Sequence, residues 1–363
     1  MSPLAKILRR RIATMGPISV ADYMTLALGH PRYGYYMARD PLGAAGDFIT
    51  APEISQMFGE LIGLWCAVVW QQMGRPAPVL LVELGPGRGT LLADALRAAR
   101  TRPDFAAALR VHLVETSPFL RKQQEMTLAK RHPGLKVEWH ERLEDAPAVA
   151  PILVVANEFF DALPIRQYVR TGEGWWERRI GLGANAEGFA FALEKVDEPD
   201  LPQAWAVAER GVIVETGAQG AALARTIGAR TAQTGGAALV IDYGYTHPAP
   251  GETLQAVRHH VFQDILDRPG ETDLTAHVNF AALAAAAEDG GARAYGPIAQ
   301  GLFLSRLGIA ARAQALMAGA RRDQAASIAS GLRRLVHPAE MGAMFKALAL
   351  AHPHLPPPPG FIA

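Results

Sequence analysis

The sequence predicts an α/β fold in which helices cover both faces of a sheet. Five apolar segments have the composition of buried strands, near residues 79–84, 110–115, 136–140, 152–156 and 238–243. Helical stretches lie between most of these segments, and such alternation is typical of an α/β sheet. The chain has 363 residues, of which 50% are hydrophobic, so it can bury a sizeable core in one elaborated domain or two.

The first 75 residues are predicted to form a mostly helical lead-in to the sheet. Leu4, Ile7 and Leu8 have the spacing of one apolar helix face. Ser19 is placed to cap a second helix, with Asp22 three residues later as in a capping box. The apolar periodicity of these helices then ends, and residues 46–60 are predicted to run from a loop into a helix.

The second half of the chain departs from simple alternation in two places. Between residues 165 and 214 short strand-like segments predict an antiparallel meander inserted beside the main sheet. Alanine-rich stretches at 280–287, 310–320 and 324–335 predict helices, and the prolines at 356–359 predict an extended terminal strap. We therefore divide the chain into an N-terminal segment (1–75), a core (76–300) and a C-terminal helical extension (301–363).

Composition narrows the class of protein. Lysine and arginine number 36 against 35 acidic residues, so the net charge of +1 gives no general reason to expect binding to nucleic acid or to a membrane. Cys66 is the single cysteine and lies in an apolar run, which excludes an internal disulfide and predicts a buried thiol in a reducing compartment. That run is too short to cross a bilayer, and no signal peptide is recognised. We expect a soluble, cytoplasmic protein.

The most informative stretch is Val82-Glu83-Leu84-Gly85-Pro86-Gly87-Arg88-Gly89-Thr90. It follows an apolar strand and leads into a helix, and an acidic residue ends the strand before three glycines at every second position. Glycines there allow backbone N–H groups to approach a ligand closely, and the helix N-terminus favours a polar or negative group. The stretch therefore predicts a loop that binds a nucleotide-type cofactor.

The spacing of the glycines separates this loop from two common alternatives. A dinucleotide fingerprint requires Gly-x-Gly-x-x-Gly, whereas the third glycine comes one residue early, at Gly89. A Walker loop requires a lysine that Gly89-Thr90 lacks. The order Glu-x-Gly-x-Gly-x-Gly resembles motif I of the class I S-adenosylmethionine-dependent methyltransferases. That resemblance implies that Gly85, Gly87 and Gly89 admit the methionine part of the cofactor and that Glu83 helps to hold its ammonium group.

Acidic residues at the ends of the next two strands extend the predicted cofactor site. Glu115 ends the strand that follows the glycine loop, where a carboxylate can accept hydrogen bonds from both ribose hydroxyls. It follows Gly89 by 26 residues, more than the usual interval of about 20, and a loop at residues 100–105 would account for the difference. Glu141, Glu144 and Asp145 follow the third strand, and any of them could contact an adenine amine.

The fourth strand ends in Asn157-Glu158-Phe159-Phe160-Asp161. Ligands of open α/β sheets bind outside the carboxyl ends of the strands, so this segment should face the glycine loop. We therefore predict Glu158, Asn157 and Asp161 as catalytic residues that contact a methyl acceptor. A helix start with Asp161 as its cap is the alternative interpretation.

Several long motifs are similar to those of one family. Residues 46–60, the glycine loop, 157–164, Ile241-Asp242-Tyr243-Gly244-Tyr245 and the segment 272–280 occur in the order found in the MidA-like family. Its mitochondrial members are arginine methyltransferases that act in respiratory complex I assembly. Two positions depart from the family pattern: Ala51 stands where serine is frequent, and Asn279 where aspartate is frequent.

This resemblance implies a class I methyltransferase (Rossmann-like) fold and transfer of a methyl group from S-adenosylmethionine to a protein arginine. The implied acceptor is the complex I subunit of about 49 kDa, and the implied compartment of eukaryotic relatives is the mitochondrial matrix. An arginine nitrogen is a poor nucleophile until carboxylates orient the guanidinium, and Glu158 is the first candidate for this role, ahead of Asp161 and Asp242.

Three further expectations remain. Gly46, Asp47 and Phe48 are predicted to form a lid over the cofactor. No His/Cys cluster in the sequence indicates a metal site. The rival functions are a nicotinamide-dependent oxidoreductase, which the glycine spacing disfavours, and a non-catalytic assembly factor that binds a client subunit, which the intact cofactor residues disfavour.

Overall fold

The structure, a computed structural model, describes residues 2–38, 50–184, 188–197, 199, 201–202, 205 and 208–361. Within this part of the chain, none of the helices combines the length and the apolar character needed to cross a bilayer.

The amino-terminal region is mostly helical, as the sequence predicts. Its elements are α1 (Pro3–Met15), β1 (Ile18–Ser19), α2 (Val20–Gly29), α3 (Tyr35–Ala38), α4 (Ala51–Ile54) and α5 (Gln56–Gln72). The Ser19 hydroxyl accepts a 3.0 Å bond from the backbone N–H of Asp22 and donates to its carboxylate at 2.7 Å. The predicted cap of α2 is therefore confirmed.

The central region alternates strands and helices. Its elements are β2 (Val79–Leu84), α6 (Thr90–Ala99), α7 (Pro103–Ala108), β3 (Leu109–Val114), α8 (Pro118–Arg131), β4 (Val137–His140) and β5 (Ile152–Asn157). The stretch 100–105 is predicted as a loop, but its second half begins α7. Pro103 lies in the first turn of that helix, where its missing N–H removes no intrahelical bond.

The inserted meander is present. Its strands are β6 (Arg166–Thr171), β7 (Gly174–Leu182), β8 (Phe189–Val196) and β9 (Ile213–Thr216). They pair antiparallel, and β1 joins the same sheet by pairing with β7. The two residues of β1 thus fasten the amino-terminal helices to the meander.

The remainder of the chain returns to the main sheet. Its elements are α9 (Ala218–Thr234), β10 (Gly236–Tyr245), β11 (Gln255–Arg258), β12 (Val261–Gln263), β13 (Asp273–Thr275), β14 (Val278–Asn279), α10 (Phe280–Asp289), β15 (Arg293–Ala299), α11 (Gln300–Arg306), α12 (Ile309–Met317), α13 (Arg322–Val336) and β16 (Phe345–Ala351). Strands β11, β12 and β13 form a small separate sheet.

The main sheet has the strand order β15-β16-β10-β5-β2-β3-β4, with β14 alongside β10. The strands from β10 to β4 are parallel, and β16 is antiparallel to both of its neighbours. The chain proceeds from β2 outward to β4 and then returns to place β5 on the other side of β2. This reversal between β2 and β5 is a topological switch point, where open α/β sheets bind ligands.

Both faces of the sheet are buried. Val79 and Leu81 of β2 face a core shared with α5, α6 and the carboxy-terminal helices, whereas Leu80 and Val82 face a core shared with α9 and α10. Burial on both faces accounts for the nearly continuous apolar sequence of the central strands. Cys66 lies buried in the first core, as predicted.

The three predicted alanine-rich helices are confirmed as α10, α12 and α13, and the carboxy-terminal segment contains in addition helix α11 and a strand. Strand β16 lies between β10 and β15, although its alanine and leucine residues are good helix formers, because sheet pairing overrides the local preference. The terminal prolines run as a strap over α5. The indole N–H of Trp65 donates to the carbonyl of Pro359 at 3.1 Å. The division of the chain at residues 75 and 300 stays a prediction.

Candidate functional site

A cavity of about 500 Å³ lies at the carboxyl ends of β2, β3 and β5. The sheet and its loops form one side, and helix α2 contributes Met24, Thr25 and Leu28 to the other. The register of the strands places Leu84 beside Ala156, and Asn157 beside Ile241. The glycine loop and the predicted acceptor residues therefore meet at one edge of the sheet.

The glycine loop has a backbone that residues with a side chain rarely adopt. The φ angles of Gly85, Gly87 and Gly89 are +60°, +54° and +78°. A Cβ atom on Gly85 would lie 2.6 Å from Cδ2 of Phe159. Because Gly89 directly precedes α6, the loop brings a helix N-terminus to the cavity.

Glu83 lies beneath this loop with a buried carboxyl group. Its Oε2 atom has no hydrogen-bond partner among the described residues. Burial raises the pKa of Glu83 to about 8. A cation bound against this carboxyl group would supply the missing partner and favour the ionised form.

Glu115 is held at the end of β3 by a set of buried bonds. Its Oε1 accepts the backbone N–H of Ser117 at 2.8 Å, and its Oε2 accepts a side-chain N–H of Gln124 at 3.2 Å. The same nitrogen of Gln124 donates to the carbonyl of Gly87 at 2.9 Å. Gln124 therefore joins the glycine loop to Glu115. Burial raises the pKa of Glu115 above its ordinary value, and these bonds oppose the increase.

The three acidic residues after β4 that are predicted as possible adenine contacts have different surroundings. Glu141 lines the cavity. Asp145 instead accepts the backbone N–H of Arg142, and Glu144 forms an ion pair with the Arg142 side chain at 3.4 Å. Glu141 is therefore the candidate that remains for contact with an adenine.

Asn157 and Glu158 line the cavity at the end of β5. Oε1 of Glu158 accepts the backbone N–H of Ala51 at 2.9 Å and a side-chain N–H of Asn157 at 3.0 Å. The φ angle of Glu158 is +50°, which is uncommon for a residue with a side chain and occurs often at functional sites. Burial raises the pKa of Glu158 to about 7.

The loop that presents Glu158 and Asp161 is shaped by Asp242. Oδ2 of Asp242 accepts the backbone N–H groups of Phe159, Phe160 and Asp161 at 3.2, 3.0 and 3.2 Å. Asp161 lines the cavity, and burial raises its pKa to about 6. The carboxylate of Asp242 faces backbone donors and not the cavity, so its role is to position this loop.

Asp273 adds a further carboxyl group to the lining of the cavity. The hydroxyl of Tyr36 donates to its Oδ1 and Oδ2 atoms at 3.0 and 3.2 Å. The hydroxyl of Ser117 in turn donates to the carbonyl of Tyr36 at 2.7 Å, which connects α3 with the cofactor side of the site. Tyr36 therefore bonds to Asp273 through its hydroxyl and to Ser117, beside Glu115, through its carbonyl.

The ionisable residues that line the cavity are mostly acidic. Among the described residues that line it, one carries a guanidinium group, Arg88, whose NH1 lies 3.9 Å from a carboxylate oxygen of Glu53. The residues with carboxyl groups are seven: Glu53, Glu83, Glu115, Glu141, Glu158, Asp161 and Asp273. Such a cavity attracts cationic ligands and orients them through carboxylate oxygens.

The structure brings together most of the residues predicted from the sequence. The cavity is lined by Glu83, Gly85, Gly87, Glu115, Asn157, Glu158 and Asp161, and Gly89 lies directly behind the loop. Gly46, Asp47 and Phe48, predicted as a lid, lie outside the described residues. The functional role of each of these residues stays a prediction.

Sequence reasoning misses Gln124, Tyr36 and Asp273. Gln124 lies within a polar helix and carries no motif that marks it. The aromatic composition around Tyr36 favours packing, yet this residue combines a partly buried ring with a hydroxyl bonded to a carboxylate. Asp273 lies in a motif of the family resemblance, but that motif assigns no separate function to its carboxylate.

The chain is similar over most of its length to known proteins. Residues 61–298 match the family model described as S-adenosyl-L-methionine-dependent methyltransferase. The protein arginine methyltransferase NDUFAF7 homolog, mitochondrial, of Drosophila melanogaster is 40% identical over 96% of this chain and 84% of its own length. The protein arginine methyltransferase NDUFAF7, mitochondrial, of Homo sapiens is 35% identical over 98% of this chain and 84% of its own length.

The fold is also that of a solved structure. The crystal structure of a protein from Burkholderia thailandensis bound to S-adenosyl-homocysteine matches with a TM-score of 0.84. The two proteins are 29% identical, and the match covers 99% of this chain and 92% of that chain.

Proposed function

Because the chain belongs to the MidA-like family of S-adenosyl-L-methionine-dependent methyltransferases, we propose that it methylates an arginine side chain of a respiratory complex I subunit of the 49-kDa type. Relatives at 35% and 40% identity are named protein arginine methyltransferases. S-adenosylmethionine, when bound, supplies a methyl group on a positively charged sulfur.

The residues of the cavity fit this cofactor. The positive φ angles of Gly85 and Gly87 leave the backbone without side chains at the place of closest approach. The buried Oε2 of Glu83 is an acceptor that an ammonium group would satisfy. Glu115 offers two carboxylate oxygens to a pair of hydroxyls, as acidic residues do in dinucleotide sites.

The observation that supports an arginine acceptor is the acidity of the cavity beyond these cofactor residues. Glu158, Asp161 and Asp273 line it on the side of β5 and β13. A guanidinium is planar, carries five N–H donors and remains protonated, so it is suited to several carboxylates at once. A positively charged acceptor favours the ionised forms of Glu158 and Asp161, whose pKa values burial raises, whereas a neutral acceptor would not.

Positioning is the main contribution that the chain can make to methyl transfer. A bound guanidinium must present one nitrogen in line with the sulfur–methyl bond, and correct orientation of two reactants supplies much of the rate. The nitrogen–methyl bond forms as the sulfur–methyl bond breaks, and the nitrogen gives up one proton, for which the carboxylates of the cavity are acceptors. Glu158 is fixed by Ala51 and Asn157 and is therefore the residue we assign to hold the guanidinium. Asp161 and Asp273 are placed to accept its remaining N–H groups.

We further propose a cytoplasmic location. The free thiol of Cys66 is consistent with a reducing compartment, and burial raises its pKa to about 12, which keeps it unreactive. The eukaryotic relatives are named as mitochondrial proteins.

The test is incubation of the purified protein with methyl-labelled S-adenosylmethionine and a purified 49-kDa-type subunit, followed by peptide mass spectrometry. We expect a label on arginine and, in a separate thermal-shift comparison, stabilisation by S-adenosylmethionine and not by NADH. Labelling of another residue type would contradict the arginine assignment. Cofactor binding without label in this subunit or in any protein of a lysate would favour a non-catalytic binding factor.

A further inference from the structure

Three potential metal ligands lie together on β3 and β4, away from the cavity. They are His112 on β3 and Glu138 and His140 on β4. In this parallel pair His112 lies beside Glu138, and Val114 lies beside His140. Because side chains alternate along a strand, all three ligands point to the same face of the sheet. Helix α8 separates the two strands in sequence, so no local motif indicates the cluster. The sequence-based expectation of no metal site therefore does not include it.

The spacing of the donor atoms suits a single ion. All three ligand atoms lie within 4.8 Å of one another. Nδ1 of His112 is 3.0 Å from Nε2 of His140 and 3.9 Å from Oε2 of Glu138. Ligands of a tetrahedral zinc ion, bound at about 2.0–2.2 Å, lie roughly 3.4 Å apart. Only small side-chain movements therefore separate the observed arrangement from a coordinating one.

The two imidazoles are oriented toward each other. Their ring centres are 5.2 Å apart and their planes differ by 29°, while the nearest nitrogens are 3.0 Å apart. This arrangement places a hydrogen bond between the ring edges. One ring must therefore move its proton to its other nitrogen before both facing nitrogens can bind an ion, and this tautomer change needs no net proton loss.

Charged residues of both signs face the cluster. Glu138 and Asp145 are the acids, and they favour a bound cation. Arg230 from α9 and Arg121 from α8 are the positively charged groups, and they oppose it. Binding of an ion here therefore rests on the geometry of the three ligands.

The third ligand is adaptable. His112 is buried and fixed within the sheet, whereas the side chain of Glu138 is 67% exposed and can rotate toward an ion. Two imidazoles and one carboxylate leave at least one coordination position for water. Imidazole-rich sites of this type suit zinc, copper or nickel better than magnesium or calcium, which prefer oxygen ligands.

We propose that His112, Glu138 and His140 form a binding site for one divalent transition-metal ion, with zinc as the first candidate. The site is separate from the methyl-transfer machinery but adjoins it. The carbonyl of His140 accepts the backbone N–H of Glu115 at 3.0 Å, and Glu141, the next residue, lines the cavity. An ion that fixes His140 would therefore restrict the end of β4 beside the cofactor site.

The test is calorimetric titration of the chelator-treated, tag-free full-length protein with zinc chloride. We expect one saturable site that is lost in His140→Ala and weakened about tenfold or more in Glu138→Gln. Cobalt chloride should give the visible absorption of a tetrahedral or five-coordinate site in the parent protein and not in His140→Ala. His354→Ala, which removes an exposed histidine elsewhere, is the matched control and should bind normally.

Because the side chain of Glu138 is exposed, the Glu138→Gln variant should fold normally, and a melting curve would verify this. A change in zinc binding in this variant can then be assigned to the lost ligand. Absence of a saturable zinc site in the parent protein would overturn the proposal. Unchanged stoichiometry and affinity in both His140→Ala and Glu138→Gln would also overturn it, since the bound ion would then lie elsewhere. This test measures zinc binding and not methyl transfer. Its result can therefore be interpreted even if the proposed function is wrong.

Discussion

The backbone N–H of Ala51 donates a 2.9 Å hydrogen bond to Oε1 of Glu158. Residue 51 begins α4 in the amino-terminal region, and residue 158 follows β5, so this bond joins two distant parts of the chain at the site. Since the donor is a main-chain group, alanine supplies it as well as the serine that is frequent in the family. The bond fixes one carboxylate oxygen and leaves Oε2 for another partner.

Glu158→Gln should leave the affinity for S-adenosylmethionine nearly unchanged and lower methyl transfer about 10- to 100-fold. The amide has one acceptor oxygen and no negative charge, so it loses a charge-assisted bond of about 1.5–3 kcal/mol to the guanidinium. Single-turnover kinetics with labelled cofactor would measure the rate, and calorimetry the affinity. Glu144→Gln, on an exposed turn nearby, is the control. Full activity of Glu158→Gln would remove this residue from the mechanism.

Gly87→Val should abolish cofactor binding while the protein remains folded. Valine is strained at a φ of +54° and places a branched side chain where the cofactor must approach. Gly134→Val is the matched control, because Gly134 has a φ of +82° and a Cβ atom added there would have no other atom within 4 Å. Both variants should lose comparable stability on thermal unfolding. If Gly87→Val still binds the cofactor, the loop is not the binding site.

Binding of S-adenosylmethionine at pH 7 should release a proton from Glu83. Its pKa of about 8 means that the carboxyl group is mostly protonated before binding, and a nearby ammonium group favours ionisation. The affinity should consequently increase as the pH rises toward 8. Calorimetry in buffers of different ionisation enthalpy measures the number of protons released. Glu83→Gln should show fewer, and equal numbers in the two proteins would contradict the assignment.

The same carboxyl group should make the unliganded protein less stable as the pH rises. Glu83 has a pKa of about 8 in the folded state, against about 4.3 in an unfolded chain, so the folded state binds more protons between these values. The free energy of unfolding therefore falls as the pH increases through this interval. Denaturant unfolding at pH 5, 6, 7 and 8 should show a smaller decline in Glu83→Gln than in the parent protein. An identical decline would indicate that Glu83 is ionised throughout.

Gln124→Met should weaken cofactor binding about tenfold, because Gly87 and Glu115 lose the nitrogen that joins them. The indole N–H of Trp139 also loses its acceptor, so a modest loss of thermal stability is expected. The neighbouring Gln123→Met should change neither property. An unchanged affinity in Gln124→Met would show that Ser117 alone orients Glu115.

The sequence predicts the parts of this fold that depend on local pattern. The strand–glycine–helix unit is recognisable because an apolar strand, an acidic residue and three closely spaced glycines are close together in the chain. Strand β16 is not recognisable from the sequence, because its residues favour a helix and its partners, β10 and β15, are distant in sequence.

The site shows the same division between local and long-range information. Glu83, Glu115 and Glu158 can be found because each lies at the end of a strand, and parallel strands end at the same edge. Gln124 cannot, because its function depends on contacts with Gly87 and Glu115 that no sequence spacing encodes. The cluster of His112 and His140 likewise exists only through the pairing of β3 with β4.

The position of β16 has a consequence for synthesis of the protein. Strand β10 pairs with β16 along seven residues, from Ala237 to Tyr243, although β10 ends at Tyr245 and β16 begins only at Phe345. While the ribosome is still making the residues between them, β10 has one unpaired edge, and five of these seven residues are alanine, leucine, valine or isoleucine. Exposed apolar strand edges promote association between chains. A nascent chain that has not yet reached β16 should therefore depend on chaperones more than the completed fold does.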